Sequence, residues 1–167
     1  LAALLKLPEQ ATARLQIQPQ LRVLAFGKGP ELRLFSALAA AAGYPVESFS
    51  PDDETLRGLT GAHRMAGKDW PADLRADART AVALFFHDHD WEPKLLQAAL
   101  ESPALYIGAQ GSLRAHQARC AELISSGVAE AALARLASPF GLIPSVRDPR
   151  TLAASVLAQM LAQARLT

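Results

Sequence analysis

The sequence has little of several residue types, and each shortage excludes a class of protein. Cys120 is the only cysteine among 167 residues, which excludes an internal disulfide framework and a metal site built from several cysteines. The 17 basic and 16 acidic residues give a formal charge of +1, which is not the strongly basic balance of a general nucleic-acid binder. No apolar run approaches the ~18 residues that span a bilayer, and no signal sequence opens the chain. We therefore expect a soluble, cytoplasmic protein with no membrane span and no nucleic-acid partner.

Two parts of the chain differ in pattern. Residues 1–20 are a lead-in segment in which Pro8 and Pro19 bracket a polar stretch. Residues 21–167 are long enough for one ordinary domain, and their apolar residues are periodic. Because the chain begins at Leu1 rather than Met, we also expect that an N-terminal part is missing from it.

Short apolar runs alternate with helical patterns throughout the domain. This alternation predicts an α/β fold, a Rossmann-like, doubly wound and mostly parallel sheet with helices on both faces. If the strand order is 3-2-1-4-5, the ends of strands 1, 4 and 5 converge on one ligand crevice. The predicted strands are 21–26, 45–49, an edge strand near 63–65, 80–86 and 105–107, and the predicted helices are 31–42, 91–101, 112–126, 129–136 and 149–165. The apolar stripe of the last helix could pack inside the chain or across a homodimer.

The first strand is followed by Gly27-Lys28-Gly29. Two glycines in this spacing let the backbone turn tightly and approach a phosphate, which the next helix would hold at its N-terminus. Lys28 could add a positive charge there. The alternative is a tight strand-to-helix turn that holds no ligand, and Leu32 stands where a third small residue normally allows close packing.

Ser50 lies at the end of the second strand, where a dinucleotide-binding domain usually carries an acid for the ribose hydroxyls. Glu47 lies within the strand and Asp52 comes after the end, so neither replaces that acid. Ordinary NAD binding is therefore disfavoured, whereas a serine tolerates a 2′-phosphate or a different ligand. NAD(P) remains one of the two cofactors under consideration.

His87 follows the fourth strand within the run Phe86-His87-Asp88-His89-Asp90. Two histidines without a third convergent ligand make a poor zinc site, so we predict no metal. We interpret His87 as a hydrogen-bonding or acid–base group that points into the crevice, with Asp88 or Asp90 capping the next helix. The alternative is a histidine that only bonds the loop backbone.

The fifth strand ends in a second glycine-containing turn, with Gly108 and Gly111 before Ser112. Ser112 is placed to cap the following helix, whose exposed N–H groups favour an anion. We read Cys120, in the middle of that helix, as a buried and inert thiol. The loop 141–145 could close the crevice.

These residues resemble a known family. The stretch Phe86-His87-Asp88, residues 105–112, Phe140-Gly141-Leu142 and Asp148-Pro149 are similar to the C-terminal Rossmann domain of the xanthine dehydrogenase accessory proteins, the XdhC/CoxI family. After the fifth strand the family reads much like Y-I-G-A-L-G-S-R-R-T-H, and residues 106–116 read Y-I-G-A-Q-G-S-L-R-A-H. The similarity covers about residues 21–161.

The resemblance implies a non-catalytic accessory protein. Family members bind molybdenum cofactor (molybdopterin), assist its maturation and deliver it to molybdenum hydroxylases such as xanthine dehydrogenase. Two alternatives remain, an NAD(P)-binding oxidoreductase and a ligand-free interaction domain. By position, the residues that would line the cofactor or nucleotide crevice are Gly27, Gly29, His87, Gly108, Gly111 and Ser112.

The chain departs from the family at three places, and one of them is the end of the second strand, where the acidic residue of the family is replaced near Ser50. The family has G-A-G-H-V after the first strand, whereas residues 27–31 read G-K-G-P-E and lack the histidine. The separate N-terminal domain of the family, with its cysteine-bearing motif, has no counterpart in these residues. We therefore expect either a piece of a longer protein or a stand-alone relative of the Rossmann domain.

Overall fold

A computed structural model describes residues 2–6, 12–16 and 20–165. Within the lead-in segment, β1 (Ala2–Lys6) pairs with β2 (Thr12–Gln16) in a two-stranded antiparallel sheet of its own. The other strands are β3 (Arg22–Gly27), β4 (Val46–Ser50), β5 (Ala62–Arg64), β6 (Thr80–Phe85), β7 (Tyr106–Ala109) and β8 (Leu136–Ala137). The helices are α1 (Pro30–Ala41), α2 (Asp53–Leu56), α3 (Glu92–Glu101), α4 (Leu113–Ser125), α5 (Glu130–Leu133) and α6 (Pro149–Arg165), with a 3-10 turn at His89–Trp91.

The six strands of the main sheet lie in the order β5-β4-β3-β6-β7-β8, and all of their pairings are parallel. This confirms the predicted fold class and the order of the five predicted strands. The sixth strand, β8, falls at the end of the region predicted as helix 129–136. Arg135, the residue before β8, links this strand to the connection between α3 and β7. Its guanidinium donates to the carbonyls of Leu100, Ser102 and Ala104.

Helices cover both faces of the sheet, so the central strands β3 and β6 are almost wholly buried. Alternate side chains of these strands point to opposite faces, as strand geometry requires. One face packs against α1 and α6, and the other against α3 and Leu123 of α4. The apolar stripe of α6 is used inside the chain, because Leu152, Val156 and Met160 are buried in the core beside α1.

Crossovers between parallel strands place the carboxyl ends of β3, β4, β6 and β7 at one edge of the sheet. The predicted site residues therefore all lie in or directly after strands that end at this edge. Among the described residues, the helices include none that is both long and apolar enough to cross a membrane.

Candidate functional site

The β3–α1 turn uses its glycines to fit against the rest of the chain. A Cβ on Gly27 would stand 2.5 Å from the carbonyl oxygen of Phe85, so only glycine fits there. Lys28 is exposed, and its N–H donates to the same carbonyl at 3.1 Å. Gly29 has φ +85°, a conformation that glycine adopts without strain, and its N–H donates to Thr55 Oγ1 at 2.9 Å. The N–H groups of Lys28 and Gly29 thus have partners within the protein.

Asp52 and Thr55 form a small polar cluster beside this turn. The Asp52 carboxylate accepts from Thr55 N at 2.9 Å and from Thr55 Oγ1 at 2.5 Å. These hydrogen bonds stabilise the ionised form and hold the pKa of Asp52 below its ordinary value. Ser50 is fully buried, and its hydroxyl accepts from Asp52 N at 3.1 Å. Ser50 therefore stabilises the loop between β4 and α2 through a buried hydrogen bond.

A first cleft of about 510 Å³ opens next to this cluster. Arg33 lies along its wall and donates to the carbonyls of Glu54 at 2.6 Å and Arg57 at 2.9 Å, which fixes α2 beside α1. The lining residues are Gly29, Pro30, Arg33, Asp52, Glu54, Thr55 and Arg57.

His87 stands at the end of β6, between the turns that follow β3 and β7. Its side chain is 68% exposed, and its Nε2 lies 3.2 Å from Oε1 of Glu31, which is only 13% exposed. The second carboxylate oxygen of Glu31 is buried and has no hydrogen-bond partner among the described residues. Asp88 accepts from Asp90 N at 3.1 Å and so caps the 3-10 turn His89–Trp91. The N-cap of α3 is Trp91, whose side chain makes no capping hydrogen bond to the described residues, so the prediction that Asp88 or Asp90 caps the helix is wrong for α3.

The β7–α4 turn combines one packing glycine with an open helix start. Gly108 is buried, and a Cβ there would stand 2.6 Å from the Tyr106 hydroxyl, so this glycine makes room for a ring of the chain itself. Gly111 and Ser112 are exposed. Ser112 caps α4 as predicted, since its hydroxyl accepts from Ala115 N at 3.2 Å.

A second cleft of about 700 Å³ lies between this turn and the loop before α6. Leu113 on one side and Leu142 and Ile143 on the other expose more than half of their surface. The loop 141–145 forms one wall. The lining residues are Gln110, Gly111, Ser112, Leu113, Leu152 and the segment 139–147.

A buried ion pair supports the second cleft, and sequence reasoning missed it. Arg119 Nε and Nη2 donate to the two carboxylate oxygens of Glu92 at 2.9 and 3.0 Å. Arg119 also donates to Gln110 O at 2.8 Å and to Ser138 Oγ at 2.5 Å, which ties the β7–α4 turn to α3 and to the loop after β8. The sequence did carry a signal for this pair, because Glu92 and Arg119 both fall on the apolar, core-facing side of their predicted helices. The two residues are 27 positions apart in the sequence.

The prediction of a buried Cys120 is wrong. Cys120 is partly exposed, because α4 faces the core through Arg119 and Leu123 and leaves the thiol beside that face. Its sulfur lies 3.6 Å from Nε2 and 3.7 Å from Nδ1 of His116. Burial and the nearby Arg119 charge lower the pKa of His116.

The predicted residues share one edge of the sheet but do not line one common crevice. Among the residues described, Gly29 lines the first cleft, whereas Gly111 and Ser112 line the second. Gly27, Ser50 and Gly108 are buried, and Lys28 and His87 are exposed outside the lining of either cleft. The strand ends lie at one edge of the sheet as expected, but the residues that follow them line two separate clefts.

The chain can now be compared with known proteins. It matches the XdhC Rossmann domain family over residues 23–160. PaoD, a molybdenum cofactor insertion chaperone of Escherichia coli (strain K12), is 34% identical over 145 residues, which make up 86% of this chain and 40% of PaoD. A crystal structure described as a xanthine dehydrogenase from Bacillus halodurans is similar with a TM-score of 0.74 at 20% identity, covering 89% of this chain and 44% of that one. The chain therefore spans less than half the length of these relatives. Because the family match covers most of its residues, this chain belongs to the XdhC Rossmann domain family.

Proposed function

We propose that this chain is an accessory protein of molybdenum hydroxylases of the xanthine dehydrogenase type. It binds molybdenum cofactor, or a nucleotide, as cargo in a crevice of the Rossmann domain and assists maturation and insertion of the cofactor into the recipient enzyme in the cytoplasm. The 34% identity to an insertion chaperone supports this role. The structural observation that carries it is the second cleft, in which an open helix N-terminus adjoins apolar walls.

The phosphate end of the cargo would lie on the first turn of α4. The N–H groups of Ser112, Leu113 and Arg114 donate to no acceptor in the described part of the chain. Unpaired N–H groups and the helix dipole together favour a negatively charged group at this position. Arg147 in the opposite wall adds a positive charge.

The pterin end would lie between the two apolar walls. Leu113 is 64% exposed on one side, and Leu142 and Ile143 are 58% and 51% exposed on the other. Covering these side chains with a planar ring removes apolar surface from water, at roughly 25 cal/mol per Å². The cleft volume of about 700 Å³ lies within the range of small-molecule sites.

The eight predicted site residues take different roles in this proposal. Gly111 and Ser112 contact the phosphate, whereas His87, which lies outside the lining of the second cleft, contacts only a part of the cargo that extends beyond that cleft toward the end of β6. Three buried residues contribute only to the packing of the sheet edge: Gly27, Ser50 and Gly108. The other two lie at the β3–α1 turn, where Gly29 lines the first cleft and Lys28 is the exposed residue before it.

Binding and transfer of the cofactor test the proposal. The purified chain is incubated anaerobically with molybdenum cofactor, separated by gel filtration, assayed for bound molybdenum and then mixed with a cofactor-free hydroxylase. We expect retained molybdenum and recovery of hydroxylase activity. Ser112→Asp keeps a good helix cap but adds a negative charge at the phosphate position, so it should weaken binding by roughly tenfold.

Ala121→Glu adds the same charge to an exposed position further along α4 and serves as the matched control. It should bind the cofactor like the unaltered chain. Absence of cofactor binding by the unaltered chain, or equal binding by Ser112→Asp, would contradict the proposal.

A further inference from the structure

The β3–α1 turn has the glycine spacing of a phosphate-binding turn, but the chain itself occupies the place of the phosphate. The N–H of Gly29 already donates to Thr55 Oγ1 at 2.9 Å. The Thr55 hydroxyl in turn donates to Asp52 Oδ2 at 2.5 Å. The hydroxyl that accepts from Gly29 N–H therefore has partners for both its oxygen and its proton. Pro30, the first residue of α1, has no N–H to offer.

Glu31 adds a negative charge at the same position. A Cβ built on Gly29 would lie 3.4 Å from Oε2 of Glu31, which shows that the carboxylate folds back over the glycine. This oxygen is buried and has no hydrogen-bond partner in the part of the chain that the structure describes, while Oε1 faces His87 Nε2 at 3.2 Å. A carboxylate in the first turn of a helix satisfies the positive end of the dipole that would otherwise attract a phosphate.

The two cationic side chains near the β3–α1 turn are already engaged and do not offset the negative charge of Glu31. Arg33 is held by the backbone carbonyls of Glu54 and Arg57. Lys28 is exposed, and its charge acts on Asp52. An incoming diphosphate would therefore meet two carboxylates, Glu31 and Asp52, at a turn whose Gly29 N–H is already used.

We propose that Glu31 is a specificity-determining residue that keeps phosphate groups out of the β3–α1 turn. The domain thereby rejects dinucleotides whose diphosphate bridges that turn, NADP⁺ included, and takes phosphorylated cargo only at the β7–α4 turn. The second half of this statement rests on the proposed function, whereas the exclusion at Glu31 does not.

Titration calorimetry with inorganic pyrophosphate and with NADP⁺ tests the exclusion. Glu31→Gln keeps the shape of the side chain and removes its charge, so we expect it to bind both ligands at least about tenfold more tightly than the unaltered chain. Glu31→Ala should gain affinity in the same direction. Melting temperatures establish that each variant is folded.

Two controls distinguish loss of the negative charge at position 31 from loss of any negative charge near the first cleft. Glu31→Asp retains the carboxylate, and Glu54→Gln removes an exposed carboxylate from the lining of the same first cleft. Both should bind pyrophosphate within about twofold of the unaltered chain. No gain in Glu31→Gln and Glu31→Ala, or an equal gain in Glu54→Gln, would overturn the inference.

Failure of the exclusion at Glu31 can be distinguished from failure of the proposed cofactor role. If Glu31→Gln gains pyrophosphate affinity while the unaltered chain binds no molybdenum cofactor, the exclusion holds and the cofactor role fails. If the unaltered chain binds molybdenum cofactor and Glu31→Gln gains nothing, the cofactor role holds and the exclusion fails.

Discussion

Arg119 and Glu92 form a two-bond ion pair directly beneath the β7–α4 turn, with both side chains at most 3% exposed. The same guanidinium holds the carbonyl of Gln110 at 2.8 Å, at the start of the turn that bears Gly111 and Ser112. The position of the helix start that faces the second cleft therefore depends on a buried pair of charges.

Breaking this pair should strongly destabilise the fold. Arg119→Met removes the guanidinium from the buried Glu92 carboxylate, which keeps its contact with His89 Nδ1 at 3.1 Å, and losses for breaking a buried pair are about 3–5 kcal/mol. Urea unfolding followed by circular dichroism measures the loss. The double variant Arg119→Met with Glu92→Leu removes both charges and should recover most of it. A loss below about 1 kcal/mol in the single variant would show that the pair does not support the turn.

Gly108→Val should lower stability because of packing within the chain. A Cβ at this position meets the Tyr106 ring, whose hydroxyl donates to Gln159 Oε1 at 2.7 Å. Overpacking of this kind costs about 1–3 kcal/mol or more. Gly67→Ala is the control, because the atom that a Cβ at Gly67 would meet among the described residues is Asp69 Oδ2 at an ordinary distance of 4.0 Å. Equal melting temperatures for Gly108→Val and the unaltered chain would contradict this packing role.

Stability should fall as the pH drops below about 6.5, in part because of His116. The pKa of His116 is lowered in the folded protein by burial and by Arg119, so the unfolded chain takes up this proton first. The penalty is absent above the ordinary pKa of 6.5 and grows as the pH falls toward the lower folded value. His116→Gln should therefore show a shallower decline of the urea midpoint between pH 7.5 and pH 5. An identical decline in both proteins would exclude this contribution.

His87→Ala should affect cargo binding more than stability. The His87–Glu31 pair is exposed on the histidine side, and such pairs contribute at most about 1 kcal/mol. If His87 contacts the cargo, the affinity for molybdenum cofactor should fall by roughly two- to tenfold, an order typical of one lost polar contact. His63→Ala is the matched control, because His63 is exposed and pairs with Glu47 at the far edge of the sheet. Unchanged affinity in His87→Ala would remove His87 from the site.

The parallel sheet could be predicted from the sequence because its signals are local. Continuous apolar runs mark strands that are covered on both faces, and β3 and β6 are buried as such runs predict. The cap at Ser112 was also predictable, since a cap requires only one polar side chain at the right place. The two-residue strand β8 carries no such signal and depends on contacts made by Arg135.

The roles of individual glycines could not be predicted, because they depend on what approaches from elsewhere in the fold. Gly108 reads as part of a ligand-binding turn, yet it faces the Tyr106 ring. The G-K-G spacing predicts a phosphate at Gly29, yet Thr55 takes its N–H from 26 residues away. The pairing of Arg119 with Glu92 is a long-range contact of the same kind.

The most direct test of the proposed site is a titration of the ¹⁵N-labelled chain with molybdenum cofactor, followed by amide chemical shifts. The largest changes are expected at Gly111, Ser112 and Leu113, with little change at Gly29. Changes centred on Gly29 and Glu31, or none anywhere at millimolar cofactor, would contradict binding in the second cleft.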